Sequence, residues 1–415
     1  DLHVQIYTEW GEKQTAEIKK DTAVRYRGGV KSPVLEQLVQ GDKVEILTDL
    51  GDWSEVKTAD SIIGYVENKR LYNYGTLTQL PVTDYQAPEY VHRSLPGKVN
   101  LGFHSIGGPG GNITLEDMLN EGKGINVIAP TWISMVDELG NIRNFGDADY
   151  VAKAHAKGIQ VWGVVDNFNY ELETGISLDA YQVLAYTSRR TKLEDEIINA
   201  ALSLGLDGVN LDFESLSREC GEHYGQFLRE LSLKCRANSL VFSVDNYVPY
   251  NFNEHYRLDI QGYAADYVVI MGYDEHWHGS QDPGSVASLD YVAGGIEKTL
   301  VYVPAERIVN ALPFYSILWR IEGNKVTDEY VTMVNMADLL NSLSAKPVWD
   351  ETTQQKYIEW NQGNARYEMW IEDEESIRVK LNLMSQKNIG GVAVWRLGYG
   401  TRAVWELINL YVNNM

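Results

Sequence analysis

The feature that most narrows what this chain can fold into is a rhythm. From residue 99 onward, apolar runs of strand length recur eight times, at 99–107, 125–135, 159–166, 208–214, 240–247, 267–275, 308–315 and 390–398. Stretches with helical periodicity fall between them, as at 147–157, 191–204 and 374–387. Strands that alternate with helices are parallel, because each crossover returns the chain to the same edge of the sheet. Eight such units in roughly 320 residues predict an α/β fold of the (β/α)8 TIM-barrel type. An open, doubly wound sheet is the competing arrangement, but "GGPGG" at 107–111 follows its strand without the G-x-G-x-x-G spacing of a dinucleotide site. The interval between the seventh and eighth runs is much longer than the others and predicts an insertion at roughly 316–370.

Ahead of the barrel pattern, residues 22–72 carry short β-type runs, "TAVRYR", "DKVEILTD", "WSEVKT" and "IIGYVEN", broken by Gly, Asp and Pro. This stretch resembles the bacterial SH3-like domain at Val24-Arg25, Gly41-Asp42, Trp53 and Gly64-Tyr65-Val66. The expected organisation is therefore a small all-β domain within 1–80, its first twenty residues unassigned, a proline-bearing linker at 81–96 and the barrel at 97–415.

Charge limits the partners. With 36 Lys plus Arg against 58 Asp plus Glu, the formal charge is −22, and most of the surface repels a polyanion such as nucleic acid. No stretch has the roughly 20 apolar residues of a membrane span. The two cysteines, Cys220 and Cys235, flank a helical pattern that would hold them about 22 Å apart, too far for a disulfide. The chain opens on Asp1 rather than Met, which suggests processing and a missing targeting segment. No zinc-site spacing is present; His276 and His278 lie beside a predicted strand end without further ligands.

The octapeptide "DGVNLDFE" at 207–214 carries the chemistry. Its alternation puts Val209, Leu211 and Phe213 on one face and Asn210, Asp212 and Glu214 on the other. In a barrel the polar set points inward, with Glu214 nearest the open end where active sites lie. Alternating oxygen side chains also suit a calcium loop, although the apolar alternates are strand formers and the spacing is not that of an EF-hand. Two carboxylates this close raise the proton affinity of at least one, and a protonated carboxyl is what a general acid requires.

The octapeptide is similar to the signature of glycoside hydrolase family 18, the chitinase-like family, in which D-G-x-D-x-D-x-E ends strand four. "MGYD" at 271–274, "ALPFY" at 311–315 and "VAVWRLGYG" at 392–400 resemble the family's motifs on strands six, seven and eight. The departure is Asn210, where the family has an Asp that shares a proton with the next one. Asn210, "PTW" on strand two and the SH3-like domain make the chain most similar to the bacterial cell-wall and spore-cortex branch. The resemblance implies a secreted or cell-surface enzyme without cofactor or metal, acting on an N-acetylglucosamine-containing polysaccharide. It implies Glu214 as acid, Asp212 and Tyr273 at the substrate's acetamido group, and Asp274 and Trp395 against the sugar. Asn210, and Trp370 and Glu372 from the insertion, are expected to line the substrate cleft; Asp166, Asn167 and Asp245 sit at strand ends without an assigned role. The alternative is a carbohydrate-binding protein with an inactive barrel, against which the retained Glu214 speaks.

Overall fold

A computed structural model describes residues 11–80 and 91–413. The chain divides into two compact units, one ending at residue 90 and one beginning at residue 91. The first is a seven-stranded antiparallel sheet. Four of its strands, Thr22–Arg25, Lys43–Asp49, Trp53–Lys57 and Ile63–Glu67, fall on the predicted β runs. Gly11–Ile18 and Leu71–Gln79 pair with each other, and Gly11–Ile18 also pairs with Lys43–Asp49. Alternate residues, among them Ile18, Val24, Val44, Val56 and Val66, close a small core.

The second unit contains the expected closed barrel. Its eight parallel strands are Val99–His104, Val127–Met135, Gln160–Asp166, Gly208–Asp212, Val241–Tyr247, Tyr267–Met271, Ile308–Pro313 and Gly391–Trp395. Strand one bonds to both strand eight and strand two, so no barrel edge is left open. Of the stretch expected as linker, 81–90 lie outside the described residues. Residues beyond 90 run along the barrel, where the Arg93 amide donates to Asp266 at 2.8 Å and the Leu95 amide to the Tyr267 hydroxyl at 2.8 Å.

Strand four shows how the sequence builds the site. The helix Thr187–Leu204 buries Leu193, Ile197, Ala200 and Ala201 on one face and ends at Gly205, whose φ of 72° gives the left-handed turn glycine adopts without strain. Asp207 then accepts hydrogen bonds from the Val161 amide and His155 at the closed end of the barrel. A Cβ at Gly208 would stand 2.8 Å from the Trp162 ring and 2.9 Å from the Val241 carbonyl, so glycine is what lets the indole fill the barrel floor. Val209, Leu211 and Phe213 face outward into the layer between strands and helices, where Phe213 stacks on Phe227. Full burial of a side chain like Phe213 stabilises by roughly 1.5–3 kcal/mol. The outward apolar set thereby fixes the inward direction of Asn210 and Asp212, since a slip by one residue would exchange the two faces.

The long interval before strand eight is a five-stranded antiparallel sheet, with the helix Met333–Ser342 inserted between its second and third strands. Its two main hairpins turn on Gly323-Asn324 and Gly363-Asn364, each a two-residue loop whose glycine has positive φ. A buried polar cluster fastens this sheet to the barrel. Glu372, at the end of the last sheet strand, accepts from Lys380 of the helix Glu374–Gln386 at 2.7 and 2.9 Å and from Ser376 at 2.7 Å. Gln355 of the sheet donates to Glu372 and accepts from Ser285 of the loop after strand six. Glu372 is thus a buried structural anion with both oxygens engaged, and not the cleft-lining residue expected from the sequence. Lys380→Met should leave that anion unpaired and cost about 3–5 kcal/mol, read as a lowered midpoint in chemical denaturation.

Candidate active site

The C-terminal ends of the strands surround a cleft of about 320 Å³, whose lining includes Asp212, Glu214, Tyr247, Tyr273, Asp274 and Trp395. Five of the sequence-predicted residues, Asp212, Glu214, Tyr273, Asp274 and Trp395, therefore meet in one cavity. Glu214 lies just past the end of strand four, before a turn in which Ser215 takes a φ of 52°. Its backbone is held by Asn167, the side chain of which accepts from the Glu214 amide at 2.8 Å and donates to the Glu214 carbonyl at 2.9 Å. The Tyr247 hydroxyl, from strand five, donates to Glu214 Oε2 at 2.6 Å. Burial raises the proton affinity of Glu214, the Tyr247 bond opposes that rise, and Asp274 and Asp166 add to it.

Beneath Glu214 the strand register assembles a layer of carboxyls. Asp166 of strand three stands opposite Asp212 of strand four. Leu211 pairs with Val244, which brings Asp245 of strand five beside Asp212 on the other side. All three aspartates are buried, and neighbouring strands lie about 4.8 Å apart. They are not equally provided for. Asp166 accepts from Ser134, from the Phe168 and Asn169 amides and from the Asn169 side chain, so it starts the short helix Asn169–Thr174. Asp212 Oδ1 is buried and has no hydrogen-bond partner among the described residues. Burial pushes the Asp212 carboxyl well above the usual range, and Glu214, Asp245 and Asp166 push it further. Asp245 rises to about 8, chiefly through burial and partly offset by a hydrogen bond from Asn210.

Asn210 itself is wholly buried, and its Nδ2 donates to Ser243 Oγ at 2.9 Å and Asp245 Oδ1 at 2.8 Å. It braces the layer from below and does not reach the cleft, which corrects its expected place among substrate contacts. Trp370 packs with Tyr273 and Trp395 against a cluster containing Tyr315 and Trp319, but its ring lies tilted against that of Tyr357, with centroids 4.8 Å apart, and does not line the cleft. Asp274, with φ of 59°, is exposed at the mouth and accepts from the Tyr315 hydroxyl at 2.6 Å. Trp395 is half-buried and packs on Phe103, with ring centroids 5.6 Å apart. Tyr247 was not singled out by the sequence; its one legible signal is its place at the C-terminal end of a predicted strand. His278 pairs with Asp328, and His276 with the Asp282 carbonyl. Among the described residues no group of three or more His, Cys, Asp or Glu side chains is arranged to hold a metal ion.

A wall of carboxyls below one cleft-facing Glu can keep a proton at neutral pH and deliver it to a bound oxygen. Residues 61–400 match the model of the glycosyl hydrolases family 18. The chain belongs to this family. Residues 20–72 match the bacterial SH3 domain. The uncharacterized glycosylase YvbX of Bacillus subtilis is 24% identical over 267 residues, which cover 61% of this chain and 76% of that protein. The cortical fragment-lytic enzyme of Bacillus anthracis is 26% identical over 251 residues, 58% of this chain but only 56% of the relative's length. The fold is shared with the crystal structure of the Bacillus cereus spore cortex-lytic enzyme SleL, at 19% identity and a TM-score of 0.66, over 94% of this chain and 97% of that one.

The carboxyl layer has a consequence for stability. An Asp that titrates at 3.8 when unfolded and at about 8 when folded holds its proton only in the folded state between those values, as Asp245 does. That contribution is fully present below 3.8 and is lost as pH rises through about 8. The Asp245→Asn variant should therefore lose less thermal stability than the parent between about pH 5 and pH 8, in melting curves recorded across that range.

Proposed function

We propose that the family 18 glycosidase active site of this chain cleaves the β-1,4 bond on the reducing side of N-acetylglucosamine, by a retaining mechanism in which the substrate supplies its own nucleophile. The observation that carries this reading is the unequal setting of the two signature carboxyls. Glu214 faces the cleft with its proton affinity raised, whereas Asp212 is nine-tenths buried between two other aspartates. A retaining enzyme of the ordinary kind needs a second, ionised and accessible carboxylate as nucleophile, about 5–5.5 Å from the acid. Asp212 exposes only 9% of its surface at the cleft, and Asp274 is engaged by Tyr315 at the mouth.

The sugar's 2-acetamido oxygen can take the nucleophile's place. Glu214 protonates the departing glycosidic oxygen as that acetamido oxygen closes on the anomeric carbon, giving an oxazolinium ion. Asp212 accepts from the acetamido N–H and stabilises the positive charge; Tyr273 donates its hydroxyl to the acetamido oxygen; Trp395 supports the apolar face of the ring. Glu214, now ionised, takes a proton from the water that opens the ring with overall retention. The Tyr247 hydroxyl stabilises this ionised state, so it helps the second half of the cycle. Peptidoglycan, including spore cortex, is the polymer favoured by the cortex-lytic relatives, with chitin the other member of the class. The bacterial SH3 domain supports attachment to the wall and a place outside the cell or on its surface. No helix among the described residues is long and apolar enough to cross a membrane.

Glu214→Gln should lower turnover of purified peptidoglycan by at least about a hundredfold while keeping binding. Reducing-end release near the parental rate would place the acid elsewhere, and binding without hydrolysis by the parent would favour a carbohydrate-binding protein instead. A polymer de-N-acetylated at the cleaved sugar should be bound but barely cut, with the loss in kcat rather than KM. Equal rates on both polymers would require a protein nucleophile or an activated water, and an α product would require direct attack by an activated water.

A further inference from the structure

The carboxyl layer contains two members that the mechanism above does not use, Asp166 and Asp245. Asp245 is 2% exposed, points into the barrel, and stands beside Asp212 across the join of strands four and five. Its one donor among the described residues is Asn210 Nδ2, which reaches Asp245 Oδ1 at 2.8 Å. An amide donor to one oxygen leaves the other free to carry a proton. On the neighbouring strand, Asp212 Oδ1 is a buried acceptor that no group among the described residues satisfies. Two buried carboxyls on neighbouring strands are stable together when one keeps its proton and gives it to the other as a hydrogen bond.

Other groups press on the same layer. Asp166 faces it from strand three, Glu214 from strand four and Tyr247 from strand five, while Tyr273 and Asp274 approach from strand six. Tyr224 from the helix Gly221–Ala237 lies behind it, with Tyr256 beyond. Asp166 is already supplied with four donors, and Tyr247 is committed to Glu214. That leaves Asp245, next to Asp212 in the register of strands four and five, with the hydroxyls of Tyr273 and of Tyr224, the latter buried without a partner among the described residues.

We propose that Asp245 is the positioning residue of this active site: its protonated carboxyl donates to Asp212 Oδ1, which keeps Asp212 ionised and directs its other oxygen to the cleft. Asn210 completes the arrangement by occupying the remaining oxygen of Asp245, so the Asp245 proton points at Asp212 and not down the barrel. The proton is held throughout the cycle and is not transferred to substrate; no bond to substrate forms at Asp245. Asp245 lies outside the octapeptide, so strand five sets the ionisation of the strand-four carboxylate.

This inference rests on the proposed roles of Glu214 and Asp212, and the test separates the two. Asp245→Ala, Asp245→Asn and Glu214→Gln are compared on solubilised peptidoglycan fragments, with kcat, KM and the pH profile of each. Asp245→Ala removes the donor and should lower kcat at least about tenfold with KM little changed. Asp245→Asn should recover most of that loss near neutral pH, because its amide donates to Asp212 Oδ1 in the same geometry while accepting from Asn210. An amide does not lose its proton, so the alkaline limb of the Asp245→Asn profile should move to higher pH. Circular dichroism melting of each variant separates loss of fold from loss of turnover, and the Asn variant preserves shape if the Ala variant unfolds. The inference is overturned by an Asp245→Ala enzyme with parental kcat, by an Asn variant as slow as the Ala variant, or by an alkaline limb that Asp245→Asn leaves in place. Turnover near the parental rate in Glu214→Gln would instead remove the reading of the site on which the inference stands.

Discussion

Taking three aspartates out of water at the mouth of one barrel is the constraint to which the rest of the site answers. Asp166, Asp212 and Asp245 occupy adjacent strands at one level, and all are buried. Ionised together at such spacing they would repel strongly, and their desolvation would add several kcal/mol for each charge. The surroundings resolve this differently for each one. Asp166 receives four hydrogen-bond donors, Asp245 receives Asn210, and Asp212 keeps an oxygen without a protein partner. Glu214, one step higher, meets the cleft with its backbone clamped by Asn167 and its carboxyl bonded by Tyr247.

The apolar packing below makes that layer possible. Trp162 and Tyr267 stack within the barrel with centroids 5.5 Å apart, and Val99, Leu101, Val241 and Val309 surround them. A filled floor keeps water from entering beneath the carboxyls and keeps their field undamped from below. Outside the strands, the second apolar layer holds the crossover helices, and its interlock with Val209, Leu211 and Phe213 prevents the octapeptide from slipping in register. The chemistry therefore depends on packing on both faces of a five-residue strand.

The inserted sheet contributes at a distance. Its first strand supplies Tyr315, which bonds to Asp274, and its hairpin partner supplies Tyr330, which meets Tyr315 edge to face at 5.0 Å. The Glu372 and Lys380 pair anchors the far side of the same sheet to a barrel helix. Glu372 is a case where composition misleads: an acidic residue beside an aromatic near the cleft reads as a substrate contact, while burial with Lys380 makes it part of the scaffold.

Much of this protein was written in local order. Eight apolar runs alternating with helices determined the barrel, because a strand buried on both faces and followed by a crossover helix has few other ways to hide its surface. The period of two determined that Asn210 and Asp212 point inward, and the position of Glu214 two residues further determined that it reaches the open end. The first and last strands of the small β domain were not legible, since "GEKQTAEI" and "LYNYGTLTQ" are largely polar and become strands through pairing with each other. Register across strands was not legible either, because it depends on how eight separate segments close on one another. Tertiary structure alone brought Tyr247 to Glu214, moved Asn210 beneath the cleft and put Asp245 beside Asp212. Hydrogen bonds and charge act over a few ångströms in space, and these residues are more than thirty positions apart in the chain.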